Sequence, residues 1–299
     1  MDPYCDKTAV ISRQPRPAPT PMMVDSHMHT PLCKHAIGEP EEYAQVGFER
    51  GLAGITFTCH CPMPPKFAPE VRMADKEFKT YLRIVDRARN AWDGRIEVRL
   101  GLESDYFPGY EPWLEKLHAR ADFHYILGSV HPQFLDWRKT FYDGDAIASQ
   151  RIYFEQLADA AETGLFDCLA HPDLIKYLFP NAWDYELVMD SICDSLDRIA
   201  KTGVAMELNT SGLYKSIREM SPSENILEEI ASRDIPVVLG SDSHTPARVS
   251  DRFLSALGQL TRLGFDHVWY FHERQAQALK ISDVMPSLYR TREVTLESA

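Results

Sequence analysis

The chain has 299 residues, 44% hydrophobic and 25% charged, which suits one large packed domain or two small ones and argues against a disordered or fibrous protein. Its 44 acidic and 32 basic side chains leave a net charge of −12, which repels nucleic-acid phosphates and so speaks against a nucleic-acid partner. No apolar run approaches the ~20 residues of a membrane span, and the N-terminal stretch lacks the apolar core of a secretion signal. A cytoplasmic protein with no membrane partner is expected, and its six cysteines are too sparse for a disulfide scaffold.

In chain order, residues 1–21 carry Pro3, Pro15, Pro17, Pro19 and Pro21 with few large apolar side chains and read as an extended tail. A single domain is expected over 22–285, with a polar tail over 286–299. Within the domain, short β-branched runs alternate with helical patterns. The expected strands are Met23–His27, Ala53–Thr58, Ile96–Leu102, His124–Val130, Phe166–Ala170, Val204–Leu208 and Pro236–Gly240. Most are nearly continuous apolar runs, as parallel strands buried on both faces should be. Between two of them, Val188, Ile192, Leu196 and Ile199 mark one helix face, with Gly203 as its C-cap. Seven or eight such βα units in roughly 265 residues fit an α/β barrel, whose usual size is about 250 residues. An open doubly wound sheet is the alternative, but no Gly-x-Gly-x-x-Gly follows the first strand to suggest a dinucleotide site.

Of the 11 histidines, seven fall at or just beyond the C-terminal end of an expected strand: His27, His29, His35, His60, His131, His171 and His244. Glu103 ends the third strand and Asp242 the seventh. In a βα barrel the loops converge at these ends and build the active site. One histidine there is most simply a hydrogen-bonded core residue, but seven together are not. His27-x-His29 points two alternate residues of one strand into the same mouth. Imidazoles with two carboxylates suit Zn²⁺, Mn²⁺ or Fe²⁺, and nine ligands exceed the coordination of one ion, so two or three ions are implied.

Other polar residues admit two readings each. Asp25 and Asp173, two positions from ligand histidines, either fix histidine tautomers or face solvent. Cys33, Cys59 and Cys61 suggest a structural zinc, but a second cysteine pair at finger spacing is missing. Arg138, Lys139, Arg151 and Lys215 follow strands on the substrate face. Arg151 and Lys215 are taken as substrate-binding, because a cationic side chain suits an anionic substrate. His118, His124, His267 and His272 do not end strands on that face and read as structural.

The motifs together resemble a known family. Val24-Asp25-Ser26-His27-Met28-His29-Thr30, Cys33-Lys34-His35-Ala36, Thr58-Cys59-His60, Gly101-Leu102-Glu103, Gly128-Ser129-Val130-His131, Ala170-His171-Pro172-Asp173 and Gly240-Ser241-Asp242-Ser243-His244 are similar, in order, to motifs of the polymerase-and-histidinol-phosphatase (PHP) superfamily. Within it, Glu207-Leu208-Asn209-Thr210-Ser211-Gly212-Leu213 is most similar to histidinol-phosphatases. The resemblance implies a distorted (β/α)₇ TIM-like barrel with three divalent transition-metal ions. It implies that His27, His29, Glu103 and Asp242 hold the first ion; that Glu103, bridging, joins His131 and His171 on the second; and that His35, His60 and His244 hold the third. Glu103, Asp242 and His244 are the expected catalytic residues. Cys59 replaces the Asp of an Asp-His pair common in these phosphatases, Tyr214 stands where many have Arg, and Pro132-Gln133-Phe134 replaces an aromatic-Leu-Asp run.

The expected activity is hydrolysis of a small phosphorylated metabolite, of histidinol-phosphatase type and in histidine biosynthesis, because metal ions acidify water and neutralise phosphate oxygens. The alternatives are a PHP phosphoesterase acting on another metabolite or a phosphodiester, an amidohydrolase-like hydrolase, and a non-catalytic module. The amidohydrolase reading lacks the lysine that would bridge metals from strand four, and the module reading must explain why every ligand is intact.

Overall fold

The computed structural model describes residues 23–289, so the expected 1–21 tail and residues 290–299 of the expected C-terminal tail lie outside the described residues. The described strands form one sheet in sequence order: β1 (Val24–Met28), β2 (Gly54–Phe57), β3 (Glu97–Asp105), β4 (Tyr125–Ser129), β5 (Cys168–Leu169), β6 (Ala205–Asn209), β7 (Val237–Gly240), β8 (His267–His272) and β9 (Gln275–Lys280). Every pair from β1 to β8 is parallel, and only β8–β9 is antiparallel. Strands β1, β2 and β4 to β7 are buried along their whole length, which is why they read as apolar runs.

The first and seventh strands also meet. Beyond their ends, His29 N–H donates to the Ser243 carbonyl at 2.8 Å and Ser243 N–H to the His27 carbonyl at 3.2 Å. The Asp25 carboxylate reinforces this seam, accepting from Ser241 N–H (3.1 Å), Ser241 Oγ (2.5 Å) and Ser250 N–H (2.7 Å). These contacts draw strands one to seven into a distorted barrel and bring both ends of the sequence motif set to one mouth.

Helices cover the outside, among them α1 (Pro40–Glu49), α2 (Phe78–Ala91), α3 (Glu111–His118), α4 (Leu135–Phe141), α5 (Ala146–Glu162) and α6 (Met189–Thr202). In α6 the buried face is Ile192, Leu196 and Ile199, as the spacing predicts, and Gly203 closes it with φ +75°, a conformation that suits glycine. At the start of α5, Asp145 caps the helix by accepting from Ile147 and Ala148 N–H.

Two expectations change here. The β8–β9 hairpin was not foreseen: it turns through Glu273 (φ 49°) and Arg274 (φ 62°), which lack the Asn-Gly signature of such turns. His267 and His272 therefore do begin and end a strand, but away from the mouth, where His272 meets His124 edge-on and lies 3.2 Å from Glu97. Residues 286–289 are not tail: Met285–Tyr289 forms a 3₁₀ turn with Ser287 buried.

Candidate metal centre and active site

The C-terminal ends of the strands enclose a cavity of about 420 Å³ lined by His35, His60, Glu103, His131, His171, Asp242 and His244 among others. They come from six strands or the loops after them, Asp242 and His244 sharing the loop after β7, with His27 and His29 buried just behind. All nine side chains expected as ligands are thus brought to one place.

The Glu103 carboxylate lies at the middle. Its Oε1 faces His171 Nε2 (3.1 Å) and His131 Nε2 (3.3 Å). Its Oε2 faces His60 Nδ1 (2.9 Å), His29 Nε2 (3.5 Å) and His27 Nε2 (3.6 Å). Burial alone would raise its carboxyl, but His60, His131 and His27 hold it well below the usual range. Asp242 Oδ1 sits 3.2 Å from His29 Nε2 and 3.5 Å from both His27 Nε2 and His244 Nδ1, while its Oδ2 accepts from Ser211 Oγ at 3.0 Å. Burial opposes the charge here too, and His27 with its neighbours keeps the carboxyl ionised. Two of these residues, Asp242 (φ 49°) and His171 (φ 29°), adopt the left-handed backbone that non-glycine residues rarely take, as functional sites often require.

The ring nitrogens test whether a metal fits. His35 Nδ1 is 2.7 Å from the Cys33 carbonyl, and His244 Nδ1 is 3.0 Å from the Asp242 carbonyl. A carbonyl only accepts, so each ring in its neutral form carries its proton on Nδ1 and turns a bare Nε2 lone pair toward the other, 2.9 Å away. The Nε2 atoms of His27 and His29 lie 3.1 Å apart, and Glu207 Oε1, 2.7 Å from His27 Nδ1, holds the proton there and leaves His27 Nε2 bare. Facing lone pairs repel unless a cation lies between or beside them. Zn–N bonds of ≈ 2.0–2.1 Å in a tetrahedron put ligand nitrogens a little over 3 Å apart. Buried His29 Nδ1, His60 Nδ1, His171 Nδ1 and Glu103 Oε2 have no hydrogen-bond partner of their own. The residues present therefore fit transition-metal ions.

The groups that orient the candidate ligands differ from expectation. Asp25 and Asp173 touch no histidine ring. Asp25 ties β1 to β7 as described, and Asp173 accepts from Lys176 Nζ (2.8 Å), Ser221 Oγ and Ser223 N–H (2.8 Å). Orientation falls instead to Glu207 and Asp105, whose role the sequence did not reveal. Glu207 also accepts from His171 N–H (2.8 Å) and Asn209 Nδ2 (3.0 Å). Gly240 makes room for it, since a Cβ there would lie 1.9 Å from Glu207 Oε1. Asp105 takes His131 Nδ1 at 2.5 Å and pairs with buried Arg72 at 2.6 Å.

The expected substrate cations separate. Lys215 lines the cavity, but Arg151 does not: it lies on α5 and donates to Asp190 Oδ1 (2.7 Å), Ser191 Oγ (2.6 Å) and the Leu187 carbonyl (2.6 Å), clamping the start of α6. Arg248, which the sequence reading passed over, lines the cavity instead. Cys33 and Cys59 are buried beside the centre, and the Cys33 thiol shares a cluster with His35 and His244 rather than a separate site.

A family model described as the PHP domain matches residues 25–211. A protein of Deinococcus radiodurans named "Probable histidinol-phosphatase" is 36% identical over 264 residues, spanning 84% of this chain and 98% of that protein. The histidinol-phosphatase of Bacillus subtilis is 27% identical over 252 residues, 74% of this chain and 92% of its own. Among solved structures, the histidinol phosphate phosphatase of Lactococcus lactis subsp. lactis, complexed with Zn, L-histidinol and phosphate, superposes with a TM-score of 0.71 at 16% identity, covering 85% of this chain and 98% of that one. At that identity the structural likeness speaks for the fold.

Proposed function

The chain belongs to the PHP domain family, and from that premise we propose that it is a metal-dependent phosphomonoesterase of histidinol-phosphatase type, releasing a small alcohol and inorganic phosphate. The observation that carries the reading is the set of facing, metal-ready nitrogens around one two-faced carboxylate, open to a cavity sized for a small metabolite.

In this proposal His27, His29, Glu103 and Asp242 hold one ion, Glu103 with His131 and His171 a second, and His35, His60 and His244 a third. Zinc is supported by the related structure's bound metal, and manganese and iron suit the same donors. The chemistry such ions supply is Lewis acidity toward phosphoryl oxygens and acidification of water. The chain's own residues do the rest. Glu103 offers one oxygen to each side of the centre, Glu207 and Asp105 keep His27 and His131 in the ligating tautomer, and Ser211 orients Asp242. Lys215 brings a positive charge to the rim of an otherwise acidic protein, where a phosphate dianion must enter. The barrel presents no lysine on β4 that could bridge metals in the amidohydrolase manner. We place the enzyme in the cytoplasm, in histidine biosynthesis, with L-histidinol phosphate as its leading substrate.

The test is phosphate release from purified, metal-loaded protein with a panel of phosphorylated metabolites that includes L-histidinol phosphate and p-nitrophenyl phosphate. Turnover should stop with a chelator and return with Zn²⁺ or Mn²⁺. Absence of phosphate release from every monoester at full metal loading would overturn the proposal.

A further inference from the structure

Apart from the histidines, Lys215 and Arg248 are the cationic side chains lining the cavity among the described residues. They are built differently. Lys215 is a point charge on a flexible stem, its Nζ 5.1 Å from the Tyr177 ring centroid. Arg248 is fixed from two directions. Its guanidinium carbon lies 3.6 Å from the centroid of the Tyr214 ring, and its Nε lies 3.0 Å from Asp251 Oδ2. Tyr214 is itself anchored, its hydroxyl donating to the same Asp251 oxygen at 2.6 Å. A stacked ring sets the tilt of the guanidinium plane, and the carboxylate beside Nε sets its rotation. The two terminal NH₂ groups have no hydrogen-bond partner among the described residues, although the side chain is 29% exposed. An arginine stacked on a ring and ion-paired through Nε, with its NH₂ edge free, presents a fork for two oxygens of a tetrahedral anion.

Resting on the phosphatase reading of the same site, we propose that Arg248 grips the substrate's phosphate, with Tyr214 and Asp251 as the residues that position it. Arg248 follows His244 by four residues through a 3₁₀ turn, Pro246–Arg248, so the grip and a candidate metal ligand are tied by one short segment. A protein of net charge −12 needs such local positive charge to draw in a dianion. Arg248 meets the phosphate rather than the alcohol half, so its contribution is common to every monoester and to inorganic phosphate itself.

The experiment compares wild type with Arg248→Ala and Arg248→Lys, all metal-loaded, on p-nitrophenyl phosphate and L-histidinol phosphate, with inorganic phosphate as competing product. Arg248→Ala should raise KM about tenfold for both esters and raise the inhibition constant of inorganic phosphate by a similar factor. Metal content and kcat should stay within about threefold. Arg248→Lys should recover little, because it keeps charge and loses the fork. A raised KM with unchanged inhibition by inorganic phosphate would place Arg248 on the alcohol half and overturn the proposal, and so would unchanged constants throughout. If wild type hydrolyses no monoester, the phosphatase reading fails by itself. Calorimetric titration of metal-loaded protein with inorganic phosphate then still decides about Arg248: binding weakened about tenfold in Arg248→Ala supports the grip, and equal binding refutes it.

Discussion

Glu207→Gln is the sharpest probe of how the centre is held. The native carboxylate accepts on both oxygens: His27 Nδ1 on Oε1, and His171 N–H with Asn209 Nδ2 on Oε2. An amide of the same shape can accept on one side only. Two donors wait on the Oε2 side and one on the Oε1 side, so the amide oxygen should turn toward His171 and Asn209, leaving its NH₂ against His27 Nδ1. That contact favours the His27 tautomer with a bare Nδ1 and a protonated Nε2, which cannot ligate through Nε2. Loss of such an orienting partner costs 10–100-fold in metal affinity, on the order of 1.4–2.7 kcal/mol at that site. A residual donor–donor conflict in this fully buried spot costs about 1–3 kcal/mol of stability. The assay is competition for metal against a graded chelator, with elemental analysis and a urea unfolding curve on the same sample. Glu207→Gln with wild-type metal affinity and wild-type turnover would show that His27 does not depend on this carboxylate, and the assignment of Glu207 would fall.

Glu103→Gln should lower metal content by more than one ion per chain and remove nearly all phosphatase turnover while the circular dichroism stays native, because each of its oxygens faces a different set of histidines; elemental analysis finding a full complement would refute the bridge. Arg151→Ala should leave KM for any phosphomonoester within twofold, since its contacts all go to residues 187–191, and a large KM change would mean that it reaches the mouth after all. His118 gives the pH prediction: burial, with a smaller push from Arg274, lowers its imidazole from 6.5 to about 4, so its neutral form is favoured in the folded state. The stability this gives is complete above 6.5 and drains away as pH falls from 6.5 toward 4, on the order of 3 kcal/mol in all. Urea midpoints at pH 7.5 and 4.5 should therefore drop further for wild type than for His118→Gln, and parallel drops would refute it.

Much of this was legible in the chain because the barrel writes itself in two simple signals. Strands buried on both faces must be apolar, and the centre must sit where they end, so seven strands and nine clustered side chains could be placed from hydrophobic runs and the histidines that follow them. The illegible parts are those decided by which strand neighbours which. Asp25 and Asp173, close to candidate ligands in sequence, serve backbone seams and loops, whereas His27 takes its partner from Glu207, 180 residues away. Arg151 follows a strand on the substrate face in sequence, but its side chain runs to Leu187 and the first turn of α6. Arg248 gave no pattern at all, being one polar residue in a short turn.

The tautomer anchors sort the centre into two kinds of site. His27 and His131 are held by carboxylates on other strands, Glu207 on β6 and Asp105 on β3, so their readiness to ligate depends on the barrel being assembled. His35 and His244 are held by backbone carbonyls only two residues before them, at Cys33 and Asp242, so theirs is set locally. Loosening of the barrel should therefore disturb the His27 and His131 positions first. The pair closest to the cavity rim, and to Arg248, would keep its geometry longest.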